Sequence, residues 1–195
     1  MRRSRVKLLV SLALAVPGLL MLRDFLSGAV LAMDLLHPTG ELAVRLMILA
    51  MLPGPLVEAL GSNRFLRGWL TVRRNLGVAA FGYALLHLVF YMADMGMLSA
   101  ILDELELPAI WTGWLALALL AVPAAISFDA AVRRLGRRWK TLQRLVYLAF
   151  LVGLIHWLLL DWEWLPAFVH LLPVIVAWAL RTYARHGTHR LRAMS

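Results

Sequence analysis

The chain contains no cysteine. Disulfides, iron–sulfur clusters and thiolate metal sites are therefore excluded, and any metal must be held by His, by acidic oxygen or by Met. Charge is also scarce, at 16% of 195 residues, where soluble domains carry about 25%. Acids are the scarcer sign, 11 against 20 Lys and Arg. There is no Gly-rich nucleotide fingerprint after a strand, no nucleophile elbow and no pair of carboxylates inside an apolar run, so hydrolase and dehydrogenase chemistry has no residues to rest on. Internal repeats and low-complexity tracts are also missing.

Apolar sequence is what the chain has in excess. Hydrophobic residues make up 62% of it and the mean hydropathy is +0.78, against about 45–50% apolar residues in soluble proteins. This composition is that of a polytopic membrane protein. The net charge of +9 does not point to nucleic acid, because the basic residues fall in short blocks between apolar runs and form no stripe on a soluble domain.

Six runs approach the roughly 20 residues that cross a hydrocarbon core: about 6–22, with room to continue towards Leu36, then 42–60, 75–98, 110–128, 142–160 and 165–183. The expected fold is an all-α membrane protein, a six-transmembrane-helix bundle forming one domain over 1–195. The start, MRRSRVK before an apolar run, has the outline of a signal peptide but no small-residue cleavage site, so retention as the first span is expected. No connection reaches twenty residues, and no appended soluble domain is expected. Charge alternates between the runs. Residues 1–7, 64–74, 129–144 and 181–192 net +4, +4, +5 and +4, while 23–41, 94–106 and 161–163 net −2, −4 and −2. Because Lys and Arg concentrate on the cytoplasmic side, both termini are expected there. The acidic 94–106 loop is then an outer surface on which a partner could dock.

Pro53, Gly54 and Pro55 interrupt the second run and Pro123 the fourth. Proline frees backbone carbonyls that neighbouring helices must satisfy, so kinks are expected at both places. Gly77, Ala79, Ala80, Gly82 and Ala84 give the third run a narrow face for close packing or a flat ligand. Phe90, Tyr91, Trp111, Trp114, Trp157, Trp162 and Trp164 gather near the outer ends, as an interfacial belt does.

Six histidines occur. His186 and His189 fall in the basic tail and read as solvated. His37 and His170 fall near the outer ends of their spans, where they can cap a helix or touch a cofactor. His87 and His156 lie deep in the third and fifth runs. His87 is thirteen residues beyond Arg74 and His156 thirteen beyond Gln143, so at ~1.5 Å per residue both reach about 20 Å from the inner boundary. An ionisable group at that depth is a functional-site hypothesis. Two imidazoles at one level on separate helices can serve as the axial ligands of a six-coordinate b-type haem, or can each be a structural histidine bonded to a helix carbonyl. Zinc or copper is a weaker fit, since zinc normally takes three or four protein ligands and neither histidine has an acidic or His partner nearby in its own span. Of the cytoplasmic arginines, which mainly set topology and meet anionic lipid, Arg74 and Arg144 stand at the feet of these two spans. They are candidates to bind a propionate, a flavin phosphate or a quinone carbonyl.

The segments RRNLGVAAFGYALLHLVFY (73–91), RRLGRRWKTLQRLVYLAFLVGLIHW (133–157) and HPTGELAVRLMILAMLPGPL (37–56) together resemble the MsrQ family. These are the haem-binding membrane subunits of periplasmic methionine sulfoxide reductase systems, within the ferric-reductase-like transmembrane proteins. The resemblance runs from His37 to Tyr183. It implies a multi-pass protein of the bacterial inner membrane, an electron-transfer subunit and not a self-contained enzyme. It implies haem b held at the positions of His87 and His156, with FMN also attributed to the family. The implied donor is quinol or a cytoplasmic flavin reductase, and the implied acceptor a periplasmic molybdopterin enzyme that reduces methionine sulfoxide. Two positions depart from the family pattern. Gln143 stands where the family usually has histidine, so one haem is expected in preference to two, with the Gln143 amide free to bond a propionate, quinone or flavin. Glu41 stands where HxTG is commonly followed by Arg. A ferric-chelate or other metal reductase using the same haem, and a haem-free transporter or scaffold, remain as alternatives at this level.

Overall fold

A computed structural model describes the backbone of residues 2–161 and 164–193 and the side chains of 4–161 and 164–186. Trp162, Glu163 and the His189 side chain lie outside the described residues. Among those described, the chain forms helices and no strand. Six helical stretches are long and apolar enough to cross a membrane: Ser4–Leu26, Ala32–Leu60, Arg64–Met95, Pro108–Ala125, Arg137–Asp161 and Trp164–His186. Their outward faces are apolar. Leu19 is 62% exposed, Ile155 50% and Val169 54%, and a continuous surface of that kind is stable against lipid and not against water. The chain is a multi-pass membrane protein.

Helix α1 is Arg2–Leu26, α2 is Ala32–Met51 and α3, Pro53–Leu60, continues the same span. Asn63 opens α4 (Arg64–Met95) by accepting the Leu66 N–H at 2.8 Å, and Gly96, at φ 68° in the left-handed region, ends it. A short α5 (Leu98–Glu104) precedes α6, Pro108–Ala125. Two short helices, α7 (Asp129–Leu135) and α8 (Arg137–Gln143), lead into α9 (Leu145–Asp161) and then α10, Trp164–Ala193.

The second span starts about ten residues earlier than the sequence suggests. The Pro38–Thr39–Gly40 stretch reads as a turn, yet it lies within α2. The Thr39 hydroxyl takes the carbonyls of Leu35 and Leu36, at 2.6 and 3.0 Å, while Thr39 and Leu35 are buried. Packing overrides local preference there. His37 is thereby carried inside the helix.

Helix α2 packs most extensively on α4, and α6 on α9; the two pairs also meet each other through α4 with α6 and α2 with α9. Ala43, Met47, Met51, Ala80, Phe150 and Leu154 belong to the shared core. The break at Pro53 is satisfied from a neighbouring helix. Pro53 cannot donate to the carbonyl of Leu49, which instead accepts the Trp69 indole N–H at 2.8 Å. The next carbonyl, Ala50, accepts from Arg73 Nε at 2.8 Å. At the C-terminal end of α6, Pro123 O accepts Ser127 Oγ and Gln143 Nε2, and Ile126 O accepts Trp139 Nε1. Helix α1 is tied on by Tyr83, whose hydroxyl donates to Leu14 O at 2.8 Å and accepts from Gly18 N at 3.0 Å. Those two groups are an i, i+4 pair beside Pro17, so the phenol bridges the ladder at the proline.

Candidate functional site

A cavity of about 550 Å³ lies between the two helix pairs. Its walls are mainly apolar, with Val44, Met47, Leu88, Leu117, Leu120 and Ala149 among them, and a volume of that size suits a cofactor. His87 enters from α4 and His156 from α9. Their ring centres are 6.2 Å apart and their planes lie at 88°. His87 lies thirteen residues beyond Arg74 and His156 thirteen beyond Gln143, and the two rings meet.

Each ring is held by its Nδ1. That of His87 is 2.9 Å from the carbonyl of Leu36 and 3.4 Å from Thr39 Oγ1; that of His156 is 2.5 Å from the carbonyl of Ala109. A carbonyl only accepts, so Nδ1 is the protonated nitrogen and Nε2 of each neutral ring is left bare. Metal-binding histidines are oriented in this way, with the second nitrogen tied to an acceptor. The spacing also fits: one metal atom between two imidazoles needs about 2 Å to each nitrogen, plus the reach from nitrogen to ring centre on both sides. Among the described residues no group of three or more His, Asp or Glu could hold a bare metal ion. Two ligands on opposite walls of an apolar cavity suit a metal that brings its own equatorial ring.

Among the described residues, the charged ones lining the cavity are all acidic: Glu41, Asp94, Glu104 and Asp161. Tyr91 donates to Glu104 at 2.8 Å and Trp157 Nε1 to Asp161 at 2.5 Å. Beside them sits a cluster the sequence does not announce. Trp157 is flanked by His37 and His170, ring centres 5.4 and 5.0 Å away, and His170 Nε2 lies 3.8 Å from Glu41, which also pairs with Arg45. His37 lines the cavity, whereas His170 bonds back to Pro166 O at 2.8 Å.

The other expected site residues are elsewhere. Gln143, Arg74 and Arg144 do not line the cavity. The Gln143 amide bonds Pro123 O at 2.9 Å and Ser127 Oγ at 3.3 Å, and Arg74 pairs with Asp129 at 2.5 Å. Sequence reasoning also missed Gly40 and Gly113, which lie against the two imidazoles; a residue without a side chain leaves no chemical signature to find.

Fold and cavity define a helical membrane protein whose two central histidines face one another across a cofactor-sized space. The chain belongs to the MsrQ family of ferric reductase like transmembrane proteins. The model of the ferric reductase like transmembrane component matches residues 39–154. The chain is 37% identical over 164 residues to the protein-methionine-sulfoxide reductase heme-binding subunits MsrQ of Brucella ovis, Brucella canis and Brucella suis, covering 80% of this chain and 72% of each relative.

Proposed function

We propose that this protein is a haem b membrane electron-transfer subunit in which His87 and His156 would hold the haem iron. The observation that carries the proposal is the pair of imidazoles, 6.2 Å apart, each with Nδ1 on a helix carbonyl. The printed name of the Brucella relatives, heme-binding subunit of a methionine sulfoxide reductase, supports the same reading. One haem is proposed, because Gln143 has its amide engaged with α6 and stands clear of the cavity. When bound, the haem supplies a one-electron carrier that needs no proton or bond rearrangement.

The chain's own residues do the rest. His87 and His156 would hold the iron, and the carbonyls of Leu36 and Ala109 keep their Nδ1 protons in place. Apolar side chains such as Met47, Leu117 and Leu120 exclude water from the faces of the group, which together with ligation sets its potential. With the basic loops and both termini on the cytoplasmic side of the inner membrane, the acids Asp94, Glu104 and Asp161 face the periplasm. Electrons then enter from quinol or a cytoplasmic flavin reductase, FMN being a further carrier on that route. Arg74 and Arg144 lie at that basic end. Electrons leave to a periplasmic molybdopterin-dependent methionine sulfoxide reductase.

The test is spectroscopic. Purified full-length protein should give the reduced-minus-oxidised spectrum of a bis-imidazole b-type haem, and the reduced form should be reoxidised by the molybdopterin enzyme with methionine sulfoxide. A colourless preparation contradicts the haem; a reduced haem indifferent to that enzyme contradicts the acceptor.

A further inference from the structure

One device occurs twice in the cavity wall. Leu36 to Gly40 on α2 and Ala109 to Gly113 on α6 each present a carbonyl, a threonine three residues on and a glycine four residues on. The first carbonyl takes His87 Nδ1–H and the second His156 Nδ1–H. Each also accepts the hydroxyl of its own threonine, Thr39 at 3.0 Å and Thr112 at 2.8 Å. Each hydroxyl also reaches the carbonyl one residue earlier, Leu35 at 2.6 Å and Pro108 at 2.7 Å, so its one proton is shared between two acceptors. These threonines, 0% and 6% exposed, are the buried polar side chains of the described core.

The glycines explain how the rings reach those carbonyls. Positions i and i+4 of a helix share a face, so a side chain on the second would cover the carbonyl of the first. A Cβ at Gly113 would stand 2.7 Å from Cε1 and 2.9 Å from Nδ1 of His156, and one at Gly40 would stand 3.3 Å from Nδ1 of His87. Carbon atoms pack at about 3.5–4.0 Å. At Gly113 the ring would have to leave its place, whereas at Gly40 it would have to give by only a few tenths of an ångström.

We infer that the two threonine–glycine steps are matched seats for the imidazoles, and that Gly40 and Gly113 are positioning residues fixing the tautomer and mutual angle with which His87 and His156 meet the iron. The inference rests on the proposed role of those histidines. It assigns a role to residues on α2 and α6, helices that supply no ligand.

The experiment uses the purified full-length protein carrying Gly113→Ala, Gly40→Ala or Gly82→Ala, the last filling open space on α4. Haem per chain is read by pyridine haemochrome, and the angle between axial rings by electron paramagnetic resonance of the low-spin ferric form. Gly113→Ala should weaken haem retention about 10- to 100-fold, as loss of a ligand's support does. Gly40→Ala should keep the haem but shift its resonance, and Gly82→Ala should match the parent. Loss of fold is tested separately by placing Gly113→Ala in a His156→Ala background, where the ring it would strike is gone. There it should leave helicity and thermal unfolding unchanged. A Gly113→Ala protein with the parent's haem content and resonance overturns the inference, as does instability that persists without the His156 ring. If His156→Ala itself retains haem, the reading of the ligands fails instead.

Discussion

Trp69 on α4 donates its indole N–H to the carbonyl of Leu49 on α2, the group that Pro53 cannot reach. One turn further along α4, Arg73 does the same for Ala50. The broken helix is thus completed by its neighbour, and the site above it inherits that rigidity.

Removing either donor deprives a helix carbonyl of its side-chain partner. Arg73→Leu is expected to cost about 0.5–1.5 kcal/mol, the range of interhelical hydrogen bonds in membranes. Thermal unfolding in detergent, monitored by helicity, checks it; haem content per folded chain should be unchanged.

Tyr83→Phe removes the hydroxyl that bridges Leu14 O and Gly18 N. Because those groups are each other's i, i+4 partners, α1 can close its own ladder, and the loss should be held to about 0.5–1.5 kcal/mol. Faster protease cleavage around α1 is the expected readout, with the absorption spectrum unmoved.

Gln143→Ala tests whether that amide serves a cofactor or the fold. Its bonds to Pro123 O and Ser127 Oγ predict a modest loss of thermal stability, and its distance from the cavity predicts parent haem content. A fall in haem per chain would show a ligand-directed role.

Asp129 lies outside the spans, largely exposed, with Arg74 beside it. The hydrogen bond from Arg74, and then its charge, hold the Asp129 carboxyl below its ordinary 3.8. A carboxyl that is more acidic folded than unfolded adds stability above its unfolded value and loses it as pH falls through the folded one. The pair's contribution should therefore be present at neutral pH and vanish below 3.8. The difference in unfolding temperature between the parent and Asp129→Asn should shrink over that acid range, and also in high salt, since the pair is solvated.

The presence of six apolar spans was legible from apolar length against bilayer thickness, and the meeting of His87 and His156 from counting residues beyond Arg74 and Gln143, although the third span begins at Arg64 and not near 75. The carbonyl freed by Pro53 was legible as a need, though not its donor, because Trp69 lies on the next helix and nothing local in the sequence pairs it with Leu49. The start of α2 was misplaced because Pro38 and Gly40 carry turn signals that burial of Thr39 and Leu35 outweighs. The wall of the cavity was not legible at all. Gly113 meets His156 from another helix, forty-three residues away in sequence, and nothing local records that contact.

The most direct measurement is haem per polypeptide in the parent, His87→Ala and His156→Ala proteins, each purified at full length with its helicity checked. The account predicts one haem per chain in the parent and none in either variant. Haem retained at parent level by either variant would show that the two imidazoles do not share one iron.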